Sequence, residues 1–94
     1  MDIRRHSQFK KDYKKFRKSG HRIKERTDLF EYILNEFLKG NNLDPKFEDH
    51  PLKNKWCDFR DCHIEPDFVL IYRINKQLRI IELARIGSHS ELFD

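Results

Sequence analysis

The chain of 94 residues carries five histidines, and their surroundings differ. His50 sits in Asp49-His50-Pro51. His63 lies four residues before Asp67, and His89 follows Gly87-Ser88. His6 and His21 fall at expected helix starts or turns and read as solvated surface residues. Free imidazole titrates near pH ~6.5, so it can take and give protons close to neutrality. Three chemistries compete for this set. A zinc site draws on His, Cys and carboxylate ligands, often in short paired spacings. Cys57 and Cys62 are five apart on an expected strand, which would point them to opposite sides. Helices here offer no His-x3-His pair either, so no metal and no other cofactor is expected. The second chemistry is RNA cleavage without a metal. A 2′-hydroxyl must lose its proton to attack phosphorus, the leaving 5′-oxygen must gain one, and a cation must stabilise the phosphorane. His63, Asp67, Arg85 and His89 are the right types for those tasks. Arg85 also suits bidentate contact with phosphate. The third reading is structural: the histidines bond backbone carbonyls, and Arg85 pairs with Glu82 or Asp61.

Elements must bring these residues together. Residues 2–5 suit a short first strand. Ser7 is a candidate cap, and Phe9, Tyr13 and Phe16 recur as one helical stripe that ends at Ser19-Gly20, with Gly20 suited to a left-handed turn. A second helix is expected over 22–39, where Phe30, Ile33, Leu34, Phe37 and Leu38 form a wide apolar face. Gly40 and Asn41 stop it. Residues 41–55, with two prolines, read as a loop with an extended piece near Phe47. Strands are expected over 56–63, 68–74 and 78–86, joined by short antiparallel links. The tail is a turn or helix start with Ser88 as its candidate cap. This β-α-α-β-β-β order implies a single α+β domain over 1–94, with a helical hairpin on one face of a mainly antiparallel sheet. The other face would stay open for a ligand, and an edge of that face is where His50, His63 and His89 would meet.

Composition narrows the partners. Lys and Arg number 20 against 16 Asp and Glu, a formal charge of +4. The excess is concentrated in residues 1–26, including Lys10, Lys11, Lys14, Lys15, Arg17 and Lys18. Such a face attracts polyanions at long range, either nucleic acid or an acidic protein. No apolar run approaches the ~20 residues that span a bilayer, so no membrane role is expected. A basic start with no apolar stretch after it is unlike a secretory signal and suggests a cytoplasmic protein. Two cysteines are too few for a disulfide scaffold, and the scattered glycines exclude a phosphate-binding loop.

Four segments occur in order: Asp49-His50-Pro51-Leu52, Arg60-Asp61-Cys62-His63-Ile64-Glu65-Pro66-Asp67, Leu70-Ile71-Tyr72, and Arg85-Ile86-Gly87-Ser88-His89-Ser90-Glu91-Leu92-Phe93. Together with Trp56 they resemble the YafQ branch of the RelE-type toxins, over nearly the whole chain. The resemblance implies a RelE-like fold and a bacterial type II toxin. It implies a ribosome-dependent endoribonuclease that cuts mRNA in the A site of the 70S ribosome. A cognate antitoxin of the DinJ/RelB kind would silence it, and operator DNA would be reached only through that antitoxin. Matching the motifs assigns catalysis to His50, His63, Asp67, Arg85 and His89. On that assignment His89 is the general acid, His63 or Asp67 the base, and Arg85 the phosphorane's cation. His50 orients the phosphate or shares proton transfer. Phe93, and Phe68 where the family often has Trp, would stack a base, and Lys10, Lys11, Lys14 and Lys15 would contact RNA phosphates. The rival expectations are a toxin-like binding module or co-repressor, a ribosome-independent ribonuclease, and a zinc protein.

Overall fold

The computed structural model of the chain describes residues 1–93. The order is β1 (Asp2–Arg5), α1 (Ser7–Ser19), α2 (Ile23–Lys39), β2 (His50–Pro51), β3 (Arg60–Glu65), β4 (Phe68–Asn75), β5 (Ile80–Gly87) and α3 (His89–Phe93). The five strands form one sheet in the order β1-β5-β4-β3-β2. Hairpins make β3-β4 and β4-β5 antiparallel, whereas β1 runs parallel to β5 beyond the crossing helices. The architecture is the expected α+β class.

Apolar periodicity explains the main core. Phe9 and Phe16 of α1 and Phe30, Ile33 and Phe37 of α2 pack on Cys62, Ile64, Phe68, Leu70, Tyr72, Ile81, Leu83 and Ile86. The continuous run in β4 buries both of its faces, as a central strand should. Its second face is not open. Val69, Ile71 and Ala84 are covered there by Leu92 of α3 and by Leu52, Trp56, Phe59 and Phe93. The expectation of a bare ligand face is therefore corrected: a loop and a short C-terminal helix roof much of it, leaving the edge near β2 and β3.

Local details also depart from the sequence reading. Residues 54–56 form a 3₁₀ turn, so β3 begins only at Arg60. Cys57 is thus exposed in a turn, while Cys62 is buried in the strand, where burial pushes its thiol well above the usual range. Another 3₁₀ turn occupies Pro45–Phe47, and the short strand comes just after it, at His50–Pro51. His6, not Ser7, is the residue that caps α1, without a side-chain bond. Gly20 is extended, at φ −70° and ψ 151°, and the left-handed position between the helices belongs to Arg22. Glycine is required at 20 for another reason: a Cβ there would fall 2.2 Å from the Phe16 carbonyl oxygen. Gly40 does take the left-handed cap, closing α2 with bonds to Glu36 and Phe37.

Candidate active site

Strand alternation builds the site. Asp61 and His63 are two apart in β3 and share one face, opposite Ile71 and Val69 of β4. Across the edge, β2 pairs His50 directly with Asp61. His50 Nδ1–H donates to the Glu48 carbonyl at 2.8 Å, since a carbonyl oxygen can only accept. That leaves Nε2 facing Asp61 Oδ1 at 3.0 Å, poorly aligned for a hydrogen bond. The rings of His50 and His63 lie 6.2 Å apart.

Asp61 is 2% exposed. Burial pushes its carboxyl up, and Asp49 adds to that, whereas the charges of His50, His63 and His89 pull it down. His50 across the edge and His63 along the strand therefore sit beside one buried carboxylate, and the charge of His89 at the start of α3 reaches it. His63 is partly buried, with Nδ1 lacking a hydrogen-bond partner and Glu48 Oε2 3.4 Å away. His89 opens α3 and is exposed. Its backbone N–H donates to Asp67 Oδ1 at 3.1 Å. Phe93 lies one helical turn on, its ring 4.7 Å from that of His89. Ser88 and Glu91 cap this turn reciprocally, side chain to backbone in both directions.

The structure sets other expected residues apart. Arg85 does not pair with Glu82 or Asp61. Its guanidinium is gripped by Asp12 of α1 at 2.7 and 3.1 Å, and Asp12 also accepts from Ile86 N–H. The grip uses Nε and Nη2, leaving Nη1 toward a groove lined by Lys11, Lys15, Gly87 and Ser88. Lys10, Lys11, Lys14 and Lys15 are all exposed on α1, with Lys15 bonded to Glu91 at 2.8 Å. Phe68 must be corrected as a stacking residue. It is 3% exposed, packed on Phe16, with the Arg26 guanidinium 4.5 Å over its ring. It shares the helix-side face of β4 with Leu70 and Tyr72. His6, expected to be solvated, contacts Glu82 at 3.1 Å. Asp61 is the residue the motif reading left without a role, although its i, i+2 spacing to His63 was the available signal.

Among the described residues no group of three or more His, Cys, Asp or Glu side chains is arranged to hold a metal ion. No helix among them is long and apolar enough to cross a membrane.

Comparison with known proteins places this arrangement. Residues 1–94 match the family described as "Bacterial toxin of type II toxin-antitoxin system, YafQ". The mRNA interferase toxin YafQ of Escherichia coli (strain B / BL21-DE3) is 35% identical over 98% of this chain and 95% of its own. The crystal structure of YafQ from that strain superposes with a TM-score of 0.86 at 30% identity, covering 99% of this chain and 98% of that one. YafQ in the E. coli DinJ-YafQ complex gives 0.78 at 33% identity, over 99% and 98%. A metal-bound toxin from Helicobacter pylori gives 0.84 at 41% identity, over 99% of both chains.

Proposed function

The chain belongs to the YafQ family of type II toxins, and from that premise we propose that it is an endoribonuclease acting on mRNA in the ribosomal A site. The observation that carries this reading is the placing of His50 against buried Asp61, with the His63 ring 6.2 Å from that of His50. Acid–base cleavage needs one group to accept a proton and another to give one, each held in place. His63, whose Nδ1 is buried beside Glu48, takes the 2′-hydroxyl proton on its other ring nitrogen, Nε2. The 2′-oxygen then attacks phosphorus, the bond to the 5′-oxygen breaks, and His89 protonates that oxygen. The products are a 2′,3′-cyclic phosphate and a 5′-hydroxyl. His50, held against Asp61, faces the charge that builds on the phosphorane, and Arg85 lends its guanidinium from the groove side. Asp67 acts through the His89 backbone, fixing the start of α3, so the choice between His63 and Asp67 as base falls on His63. Phe93 holds a base beside His89. No metal ion is required in this scheme.

The exposed lysines of α1 supply a salt-sensitive attraction to ribosomal RNA phosphates. The relatives' complexes with DinJ support a cognate antitoxin for this chain too. The binding-module alternative draws on one observation, the engagement of Arg85 by Asp12.

Primer extension on a defined mRNA, with and without programmed ribosomes and with and without chelator, tests the proposal. Cuts that need ribosomes, survive chelation and vanish in His89→Ala are expected. Cuts without ribosomes would mean a free ribonuclease. Cuts abolished by chelator would mean a metal enzyme. No cuts from folded protein would favour the binding module.

A further inference from the structure

The motifs contain three residues that the cleavage scheme leaves unused: Asp49 before His50, Arg60 before Asp61, and Tyr72 in β4. They meet. Tyr72 O–H donates to Asp49 Oδ1 at 2.5 Å, and Arg60 donates to both Asp49 oxygens, Nε at 3.2 Å and Nη2 at 3.3 Å. Arg60 and Tyr72 are direct partners across the β3-β4 ladder. The Tyr72 ring is 2% exposed and stacks on Phe37 of α2 at 4.4 Å, so this end of the cluster is anchored in the core.

The geometry bears on the histidine side through the backbone. β2 is two residues long, an edge strand with few ladder bonds to hold it. Beyond its pairing with β3, one further backbone bond, from Leu52 to Phe59 at 3.0 Å, secures its exit. Adjacent residues on a strand point to opposite faces. A clamp at 49, 60 and 72 on one side therefore fixes 50 and 61 on the other. A slip of one residue would reverse both faces together.

We infer that Asp49, Arg60 and Tyr72 are positioning residues: this clamp, rather than the short ladder of β2, holds His50 against Asp61 in one ring orientation. The inference rests on the ribonuclease reading for its kinetic consequence but not for its structural one. Two readouts keep them separate. The first is the tautomer of His50, followed by nitrogen NMR of isotope-labelled histidine at a pH where the ring is neutral. The wild-type ring is expected in one tautomer, with Nδ1–H on Glu48 O. Tyr72→Phe and Asp49→Asn should both give a mixture. The second is single-turnover cleavage on programmed ribosomes. Tyr72→Phe should lower kcat by up to about 100-fold with KM unchanged, the cost of a misplaced catalytic group. Asp49→Glu, which keeps the acceptor, should recover part of it.

An unchanged His50 tautomer in both variants would overturn the inference, even with a lowered Tm, because a merely structural clamp would do only that. A mixed tautomer with kcat unchanged would also overturn it as a statement about catalysis. If wild type cleaves nothing, the ribonuclease reading fails alone, and the tautomer still decides whether the clamp positions His50.

Discussion

Two charged clusters flank the sheet, and they are built on opposite terms. At the α1-β5 groove three strong charges are paired: Arg85 with Asp12, Lys15 with Glu91, Arg26 with Glu65. At the β2-β3 edge the buried atoms Asp61 Oδ1 and His63 Nδ1 lack a hydrogen-bond partner. Buried polar groups are normally satisfied, because leaving one unpaired costs about 1–3 kcal/mol. The first cluster holds Arg85 in place through its partners, whereas the second leaves buried polar atoms unbonded beside the candidate histidines. Partner bonding separates the two clusters better than residue type does, since each contains the kinds of residue that catalysis uses.

The contrast can be broken most sharply at the unpaired edge. His63→Ala should reduce ribosome-dependent cleavage by about 10²- to 10⁴-fold, the usual worth of a general base, with the circular dichroism spectrum unchanged. A loss below threefold would remove His63 from the chemistry. At the paired groove the expected effect is on stability. Asp12→Ala strands a guanidinium that is only 21% exposed, so urea unfolding should show a loss of about 3 kcal/mol. A loss under about 0.5 kcal/mol, the range of ordinary surface substitutions, would show that the groove is not structural in this sense.

Asp61→Asn should separate function from stability. Its carboxyl is raised by burial, so the folded state favours the protonated form. The stability linked to that proton is present at low pH and lost as pH rises through the raised pKa. Above that point the neutral amide should raise Tm by about a few degrees relative to wild type while cleavage falls. An unchanged Tm would mean that the three histidines already compensate the charge. The smallest effect is expected at Glu91. The Lys15 hydrogen bond, then the Ser88 backbone, lowers its carboxyl to about 2. Its stabilisation is full above the ordinary carboxylate range and lost as pH falls from about 4.3 toward that value. Both side chains are substantially exposed, so solvent screens the pair. The Tm difference between wild type and Glu91→Gln should shrink over that acid window.

Legibility in the sequence followed the length of the signal. The α2 stripe and the run 68–74 announce themselves, because many residues share one period. The paired edge strand at His50–Pro51 has only two residues and no period, so it was hidden inside a loop. The WCDF stretch looks like a strand by composition, yet a 3₁₀ turn ends on Trp56 and a further turn takes Cys57 and Asp58. Motif matching singled out His50, His63, Asp67, Arg85 and His89 together. Spacing could not tell that Asp12, far away on α1, would take Arg85, or that Asp67 would bind the His89 backbone. Asp61 was within reach of strand alternation alone. Phe68 was misread because an aromatic beside a motif carboxylate suggested a surface role, whereas its parity with Leu70 and Tyr72 pointed inward.

The parallel pairing of β1 with β5 has a consequence for synthesis. Residues 2–5 are made long before residues 80–87, so β1 waits for both helices and three further strands before its partner exists. His89 follows β5 directly. A nascent chain can form its helical hairpin early, from local contacts, but the closure of the sheet and the arrival of His89 come together, much later. On that schedule the candidate site stays incomplete until β5 and the residues just after it are free to fold.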